Sequence, residues 1–183
     1  NEFGDRLIGP DDDRYDAARQ LFAGGLDHRP VALVRPTSAT EVAKVIRVAR
    51  ETGADLSVKS GGHSGLGHSV AEDGVVIDLA ELNALDIDLD SRTAWAQTGL
   101  TAGEYTKRAG EHGLATGFGD TGSVGIGGIT LGGGLGFLSR KYGLTIDEVL
   151  AAEVVTADGE ILEVSEENHP DLFWAIRGGG GNF

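Results

Sequence analysis

The chain has 183 residues, enough to bury a full hydrophobic core, and contains neither cysteine nor methionine. The missing cysteine excludes disulfides, thiolate metal sites, iron–sulfur clusters and a cysteine nucleophile. Twenty-nine acidic against 15 basic residues give a net charge of −14, which argues against nucleic acid or an anionic membrane as partner, and no apolar run reaches the roughly 20 residues of a membrane span.

The elements follow in chain order. A helix-like stretch runs from Tyr15 to Phe22, and Val31-Ala32-Leu33-Val34 is a short strand stopped by Pro36. Ser38-Ala39-Thr40-Glu41 is a capping box. It opens a helix with Val42, Val45, Ile46 and Ala49 on one face, ended by Gly53. Leu56–Lys59 is a strand that runs straight into Ser60-Gly61-Gly62-His63-Ser64-Gly65-Leu66-Gly67-His68-Ser69, and Gly74–Leu79 is the next strand. Residues 84–98 alternate apolar and polar around Asp90-Ser91, a hairpin pattern. Thr101-Ala102-Gly103-Glu104 is a second capping box, whose helix ends near Gly113. Residues 117–136 hold ten glycines in twenty positions, which makes a loop or a tightly approached helix start. Ala152–Ser165 reads as a hairpin whose Asp158-Gly159 pair favours a type I′ turn. Asn168-His169-Pro170 then caps a last helix with proline at its first position. The chain begins at Asn1 and ends in Gly178-Gly179-Gly180-Gly181-Asn182-Phe183, a loop that calls for a following element and predicts a piece of something longer.

Strand–helix–strand mixed with antiparallel hairpins is an α+β pattern. The glycine segments do not match the dinucleotide fingerprint, since Gly132-Gly133-Gly134-Leu135-Gly136 lacks the preceding strand and the later ribose-binding acid, so a Rossmann site is not expected. Glycines Gly61 and Gly62 let successive backbone N–H groups converge on an anion, with the hydroxyls of Ser60, Ser64 and Ser69 beside them. Such a loop holds a pyrophosphate without lysine or arginine, which suits an acidic chain. The run from Gly117 to Gly136 lets backbone approach a flat ligand where a side chain would clash. His63 and His68 have no acidic ligand beside them in the loop, so no metal is expected.

Five motifs occur in order: Lys59-Ser60-Gly61-Gly62-His63-Ser64; Val124-Gly125-Ile126-Gly127-Gly128; Leu131-Gly132-Gly133-Gly134-Leu135-Gly136; Arg140-Lys141-Tyr142-Gly143-Leu144; and Asp171 to Phe183. Together they resemble the FAD-binding (PCMH-type) domain of the berberine-bridge-enzyme-like oxidoreductases of the vanillyl-alcohol-oxidase superfamily, from about Tyr15 to Phe183. The resemblance implies a two-lobed domain, with lobes of about 1–80 and 81–183 and FAD in the cleft between them. It implies that the Ser60–Ser64 loop holds the pyrophosphate and that His63 bonds covalently to the flavin 8α-methyl. A neutral imidazole is a competent nucleophile near pH 7. Gly67, His68 and Ser69 extend the loop; His68 touches a phosphate or ribose, or stabilises the loop. Thr121, Gly122, Ser123, Gly125, Ile126, Gly127, Gly128 and Gly133 form the second cofactor segment. Val155 lies on a strand that lends backbone groups to the adenine end.

The chain departs from the family pattern at Thr121, near the position of a cysteine that makes a second flavin bond in many members. Threonine cannot form that thioether, so one bond is expected. Ile126 falls near the flavin face where oxygen approaches, and either restricts oxygen or packs. His28, His112 and His169 read as structural or solvated, and Trp95, Phe173 and Trp174 as core. The resemblance implies an oxidoreductase that removes hydride from a C–H beside an alcohol or amine, with oxygen or another acceptor taking the electrons. The substrate is a small molecule, and a substrate domain carrying the catalytic base is expected after residue 183. A non-catalytic flavin-binding module completed by a partner domain is the alternative. A reductase of the cell-wall enolpyruvyl-sugar type, which binds FAD without a covalent bond, fits less well: Gly61-Gly62-His63 and the Phe173–Phe183 tail argue against it.

Overall fold

A computed structural model describes residues 2–183. The chain divides into two compact units, one holding the chain up to Leu82 together with Val155–Leu162, the other Asn83–Val154 and Glu163–Phe183.

The first unit is built on four strands, β1 (Leu7–Ile8), β2 (Ala32–Val34), β3 (Leu56–Lys59) and β4 (Val75–Asp78), in the order β1-β2-β4-β3. β2 and β3 both run parallel to β4, and β1 is antiparallel to β2. Parallel neighbours need a crossover. Between β3 and β4 that crossover is the glycine loop, which leaves the carboxyl end of β3 and returns to the start of β4. Alternation along the strands sorts the core. Leu33 and Val76 meet Tyr15 and Ala18 of helix α1 (Tyr15–Arg19), with Leu21 just beyond it and Val70 of the loop. Val34 and Ile77 meet Val45 and Ile46 of helix α2 (Ala39–Thr52). Burying each of these side chains contributes about 1.5–3 kcal/mol.

The α2 caps form as the sequence predicts at both ends. The Ser38 hydroxyl accepts from the Glu41 amide, and Gly53 takes the left-handed C-cap at φ 69°. The expected capping box is only half made, because the Glu41 carboxylate is engaged elsewhere. It accepts from the Thr37 amide at 2.7 Å and pairs in bidentate fashion with Arg6 at 2.5 and 2.7 Å. Helix α1 stops at Arg19 rather than running to Phe22. Gln20 is extended at ψ 138°, which sends Leu21 into the core and Phe22 toward the glycine loop.

In the second unit β5 (Leu85–Asp88) and β6 (Thr93–Ala96) form the predicted hairpin, and helix α3 (Ala102–Gly110) starts on a complete Thr101/Glu104 capping box. Helices α4 (Ile126–Leu131), α5 (Ser139–Tyr142) and α6 (Pro170–Ile176) follow. The core joins Leu100, Ala102, Tyr105, Ala109, Phe118 and Ile126, with the Tyr105 and Phe118 rings edge-on at 4.8 Å. Strands β7 (Ala151–Val155) and β8 (Ile161–Ser165) pair as a hairpin.

Three sequence expectations are corrected. The β7–β8 turn is not type I′, since only Gly159 has a positive φ, and the Thr156 carbonyl accepts from the Gly159 amide at 2.9 Å. Trp174 is 75% exposed while its neighbour Phe173 is buried, because adjacent helical residues cannot both face one core. Trp95 is 49% exposed: its partner across the hairpin is Asp86, on the polar face.

Candidate functional site

The first unit carries the loop Ser60–Ser69. Lys59, the last residue of β3, is buried, and its amine donates to the Ala18 carbonyl at the end of α1. Burial pushes the Lys59 amine down from its ordinary pKa; Asp78 opposes this and Arg35 adds to it. Asp78 is the cross-strand partner of Lys59 and is itself paired with Arg35 at 2.8 Å. The loop therefore rises from a charged, fully engaged base.

One tether from outside reaches the loop itself, and two more hold the chain where it leaves the loop. The Phe22 amide donates to the Gly62 carbonyl at 3.0 Å. The Ser57 hydroxyl accepts from the Ala71 amide at 2.9 Å, and His28 Nδ1 donates to the Val70 carbonyl at 2.7 Å. Gly62 and Gly67 are buried and left-handed, at φ 68° and 78°. A Cβ on Gly67 would stand 2.9 Å from Leu26 Cδ1, and one on Gly62 3.1 Å from Lys59 Cε; the left-handed backbone calls for glycine at both positions, and a side chain there would also crowd these neighbours. The Ser64 carbonyl accepts from the Gly67 amide at 3.2 Å, and the Ser69 hydroxyl oxygen is buried without a hydrogen-bond partner among the described residues. Ser60, Gly61, His63 and Ser64 are half-buried, and His68 is exposed. The His63 imidazole lies flat against the Phe22 ring, with centroids 4.1 Å apart and planes 12° apart.

The second unit carries Thr121–Gly128 and Gly133. Residues 122–126 lie along the start of α3. Gly122 and Val124 carbonyls accept from the Gly103 and Ala102 amides, each at 2.8 Å, Gly125 bridges Thr101, and the Ile126 amide donates to the Leu100 carbonyl at 2.9 Å. Thr121, Gly122 and Ser123 are exposed, and the Thr121 hydroxyl donates to Asp120 at 3.0 Å. Ile126 is 5% exposed and belongs to the core, so packing accounts for its side chain. Gly127 abuts Thr98, while Gly128 is exposed and open. Gly133, at φ 106°, offers its carbonyl to the Ile146 amide at 3.1 Å. Val155, at the end of β7, is half-buried against the Val34–Leu82 cluster. A cavity of about 100 Å³ beside Ile87, Tyr105 and Thr116 is too small for a flavin and includes none of these residues.

Two contributors escape the sequence reading. Phe22 has no motif to mark it. Thr145 is buried, with its hydroxyl between the carbonyls of Gly117 and Gly134, and so ties the two ends of the second glycine segment together.

Comparison with known proteins agrees on one family. A family model described as FAD binding domain matches residues 30–165. (R)-6-hydroxynicotine oxidase of Paenarthrobacter nicotinovorans is 41% identical over 177 residues, which is 97% of this chain and 39% of that protein. Berberine bridge enzyme-like C-1 of Nicotiana tabacum is 42% identical over 168 residues, 87% of this chain and 29% of that protein. Among solved structures, glucooligosaccharide oxidase from Acremonium strictum, with its 6-S-cysteinyl, 8α-N1-histidyl FAD, superposes with a TM-score of 0.89. It is 33% identical, and the match covers 95% of this chain and 37% of that one. The chain thus spans about two fifths or less of the length of the relatives it matches. The family match takes in most of its residues, and the chain belongs to the FAD binding domain family, with berberine bridge enzyme-like proteins and 6-hydroxynicotine oxidase among its relatives.

Proposed function

We propose that the chain is the FAD-binding part of an oxidoreductase that oxidises an alcohol, a sugar or an amine, with the flavin bonded to His63. The observation that carries this reading is the Ser60–Ser69 loop. It is tethered from outside at Gly62, has left-handed backbone at Gly62 and Gly67 where a side chain would be strained and crowded, and keeps a buried Ser69 hydroxyl without a partner among the described residues. A buried hydroxyl in that state costs about 1–3 kcal/mol until a ligand atom satisfies it. These residues fit the cofactor. FAD, when bound, supplies an acceptor for hydride and a two-electron store.

The chain's own residues then divide the work. Backbone amides of Ser60–Ser64, with the Ser60, Ser64 and Ser69 hydroxyls, bind the pyrophosphate. His68 stands at the exposed rim of that loop. His63 supplies the imidazole nitrogen for the single covalent bond, since this chain has no cysteine for a second. Thr121, Gly122, Ser123, Gly125, Gly127, Gly128 and Gly133 present backbone rather than side chains to the cofactor, and Val155 lends its backbone at the adenine end. The names of the relatives span an amine substrate and a sugar substrate, which is why the substrate class is drawn that widely.

Acid precipitation tests the reading. A yellow pellet that turns colourless in His63→Ala is the expected result; a wild-type pellet without flavin overturns the bond, and a protein that takes up no flavin at all overturns the function. The limited span against the relatives favours one further element, that the chain holds flavin and depends on more residues for turnover. Turnover of an alcohol, sugar or amine by the 183-residue chain alone overturns that element.

A further inference from the structure

We infer that Phe22 is a positioning residue for His63, its ring fixing the plane in which the imidazole nitrogen meets the flavin; this rests on the histidyl bond proposed above. The stack is nearly parallel, at 4.1 Å and 12°. Burial does not explain it, because Phe22 remains 69% exposed.

The chain nevertheless spends several contacts to put Phe22 there. Helix α1 breaks after Arg19, Leu21 is anchored in the core, and the Phe22 amide is bonded to the carbonyl of Gly62, the residue just before His63. Lys59 holds the end of α1 through the Ala18 carbonyl. The aromatic ring and the histidine are thus carried on two segments that are tied to each other at adjacent residues.

The chemistry gives this a purpose. The nitrogen lone pair of an imidazole lies in the ring plane, so a stack on one face does not itself block the nitrogens, while it restrains the ring from turning about its last torsion. In the bond, the nitrogen replaces one hydrogen of the flavin methyl group. One proton leaves the methyl and one the imidazole N–H, and the electron pair passes to dioxygen, which becomes hydrogen peroxide. A step of this kind depends steeply on orientation, and a misplacement of about 1 Å can cost about 100-fold.

The test uses the full-length protein prepared without flavin under riboflavin limitation and then mixed with FAD in air. Covalent attachment is followed by intact mass and acid-stable fluorescence. Reversible FAD affinity is measured separately in a His63→Ala background. Phe22→Ala and Phe22→Leu should attach flavin about tenfold or more slowly than wild type, with reversible affinity within about threefold, and Phe22→Trp should restore the rate. The leucine variant keeps apolar bulk without a planar face, so attachment at the wild-type rate in that variant overturns the inference. So does faster attachment in the alanine variant, which would make the ring a shield. A loss of reversible affinity as large as the loss of rate also overturns it, by making Phe22 part of the flavin pocket. Wild-type protein that binds flavin only reversibly overturns the histidyl bond, and this inference with it; wild type bonded and Phe22→Ala equally fast overturns this inference alone.

Discussion

Gly127 and Gly128 are neighbours in α4 with opposite surroundings, and alanine at each should have opposite effects. A Cβ on Gly127 would stand 2.9 Å from Thr98 Cβ and 3.3 Å from the Thr98 carbonyl oxygen; one on Gly128 would meet nothing within 4 Å. Neither has left-handed backbone. Alanine in place of a helical glycine reduces the freedom of the unfolded chain and contributes about 0.5–1 kcal/mol. For Gly128→Ala that gain stands alone, which for a chain of this size raises Tm by about 1–4 °C. For Gly127→Ala an overpacking cost of about 1–3 kcal/mol is set against it, and the obstacle includes backbone, so the net is a loss of up to about 2.5 kcal/mol. Cofactor binding should separate the pair the other way. A methyl on the open side of Gly128 stands where the flavin is proposed to approach, and should weaken reversible FAD binding about tenfold or more, or about 1.4 kcal/mol. Thermal melts of flavin-free protein and FAD titration in a His63→Ala background give both numbers. A Gly128→Ala variant that is more stable and binds FAD like wild type would refute the approach at this residue, and one that is less stable would refute the open space itself.

Within the Gly132-Gly133-Gly134 run, Gly132→Ala should change stability by no more than about 0.5 kcal/mol, because its new Cβ would meet only ordinary contacts from 3.4 Å outward, whereas Gly134→Ala combines a φ of 75° with overlap on Thr145 and should cost about 3 kcal/mol or more by urea denaturation. Thr145→Val keeps the shape and removes the hydroxyl between the Gly117 and Gly134 carbonyls, and should cost about 1–3 kcal/mol in the same assay. Hydrogen bonds from Arg6, then from the Thr37 amide, hold the Glu41 carboxyl down at about 2 rather than 4.5. A depressed carboxyl stabilises the fold above its unfolded value and loses that effect as pH falls through the folded one, so Glu41→Gln should cost about 1–2 kcal/mol at pH 7 and progressively less from pH 4.5 toward 2.

Local chemistry was legible in the residues, and contacts between distant segments were not. The α2 and α3 caps, the Leu56–Lys59 strand and the glycine loop after it each follow from neighbours within a few positions. The half-made box at Ser38 shows where this fails, since Arg6, far away in sequence, competes for the Glu41 carboxylate. Trp95 and Trp174 fail for a related reason. Both are large and apolar, but hairpin register and helical phase decide which way they face, and those need the partner strand or the core to be known. At the candidate site, His63 is marked by its motif. Phe22 lies 41 positions earlier and meets it only because α1 breaks where the core claims Leu21. Thr145 is hidden similarly, 28 positions from the Gly117 carbonyl it serves.

A chain of net charge −14 proposed to bind an anionic pyrophosphate poses an electrostatic question, and its answer is testable. Clustered lysines and arginines are the usual solution, and binding of that kind weakens as salt screens the pairs. Here the lysine at the base of the loop is buried and already donates to the Ala18 carbonyl, and Arg35 is paired with Asp78. Apart from His68 at its exposed rim, the donors left to the loop are backbone amides and serine hydroxyls, dipoles whose field is short-ranged. Because Phe22 tethers the loop at Gly62, and Ser57 and His28 hold the chain where it leaves the loop, the ordering cost left for binding to meet is reduced. Salt should then act mainly on the long-range repulsion between an acidic protein and an anionic ligand, which is largely screened beyond about 10 Å at 0.1 M. Reversible FAD affinity in His63→Ala, titrated from about 0.02 M to 0.5 M sodium chloride, should hold steady or rise up to about threefold. A tenfold fall would mean that ion pairs, not the glycine loop, carry the phosphate.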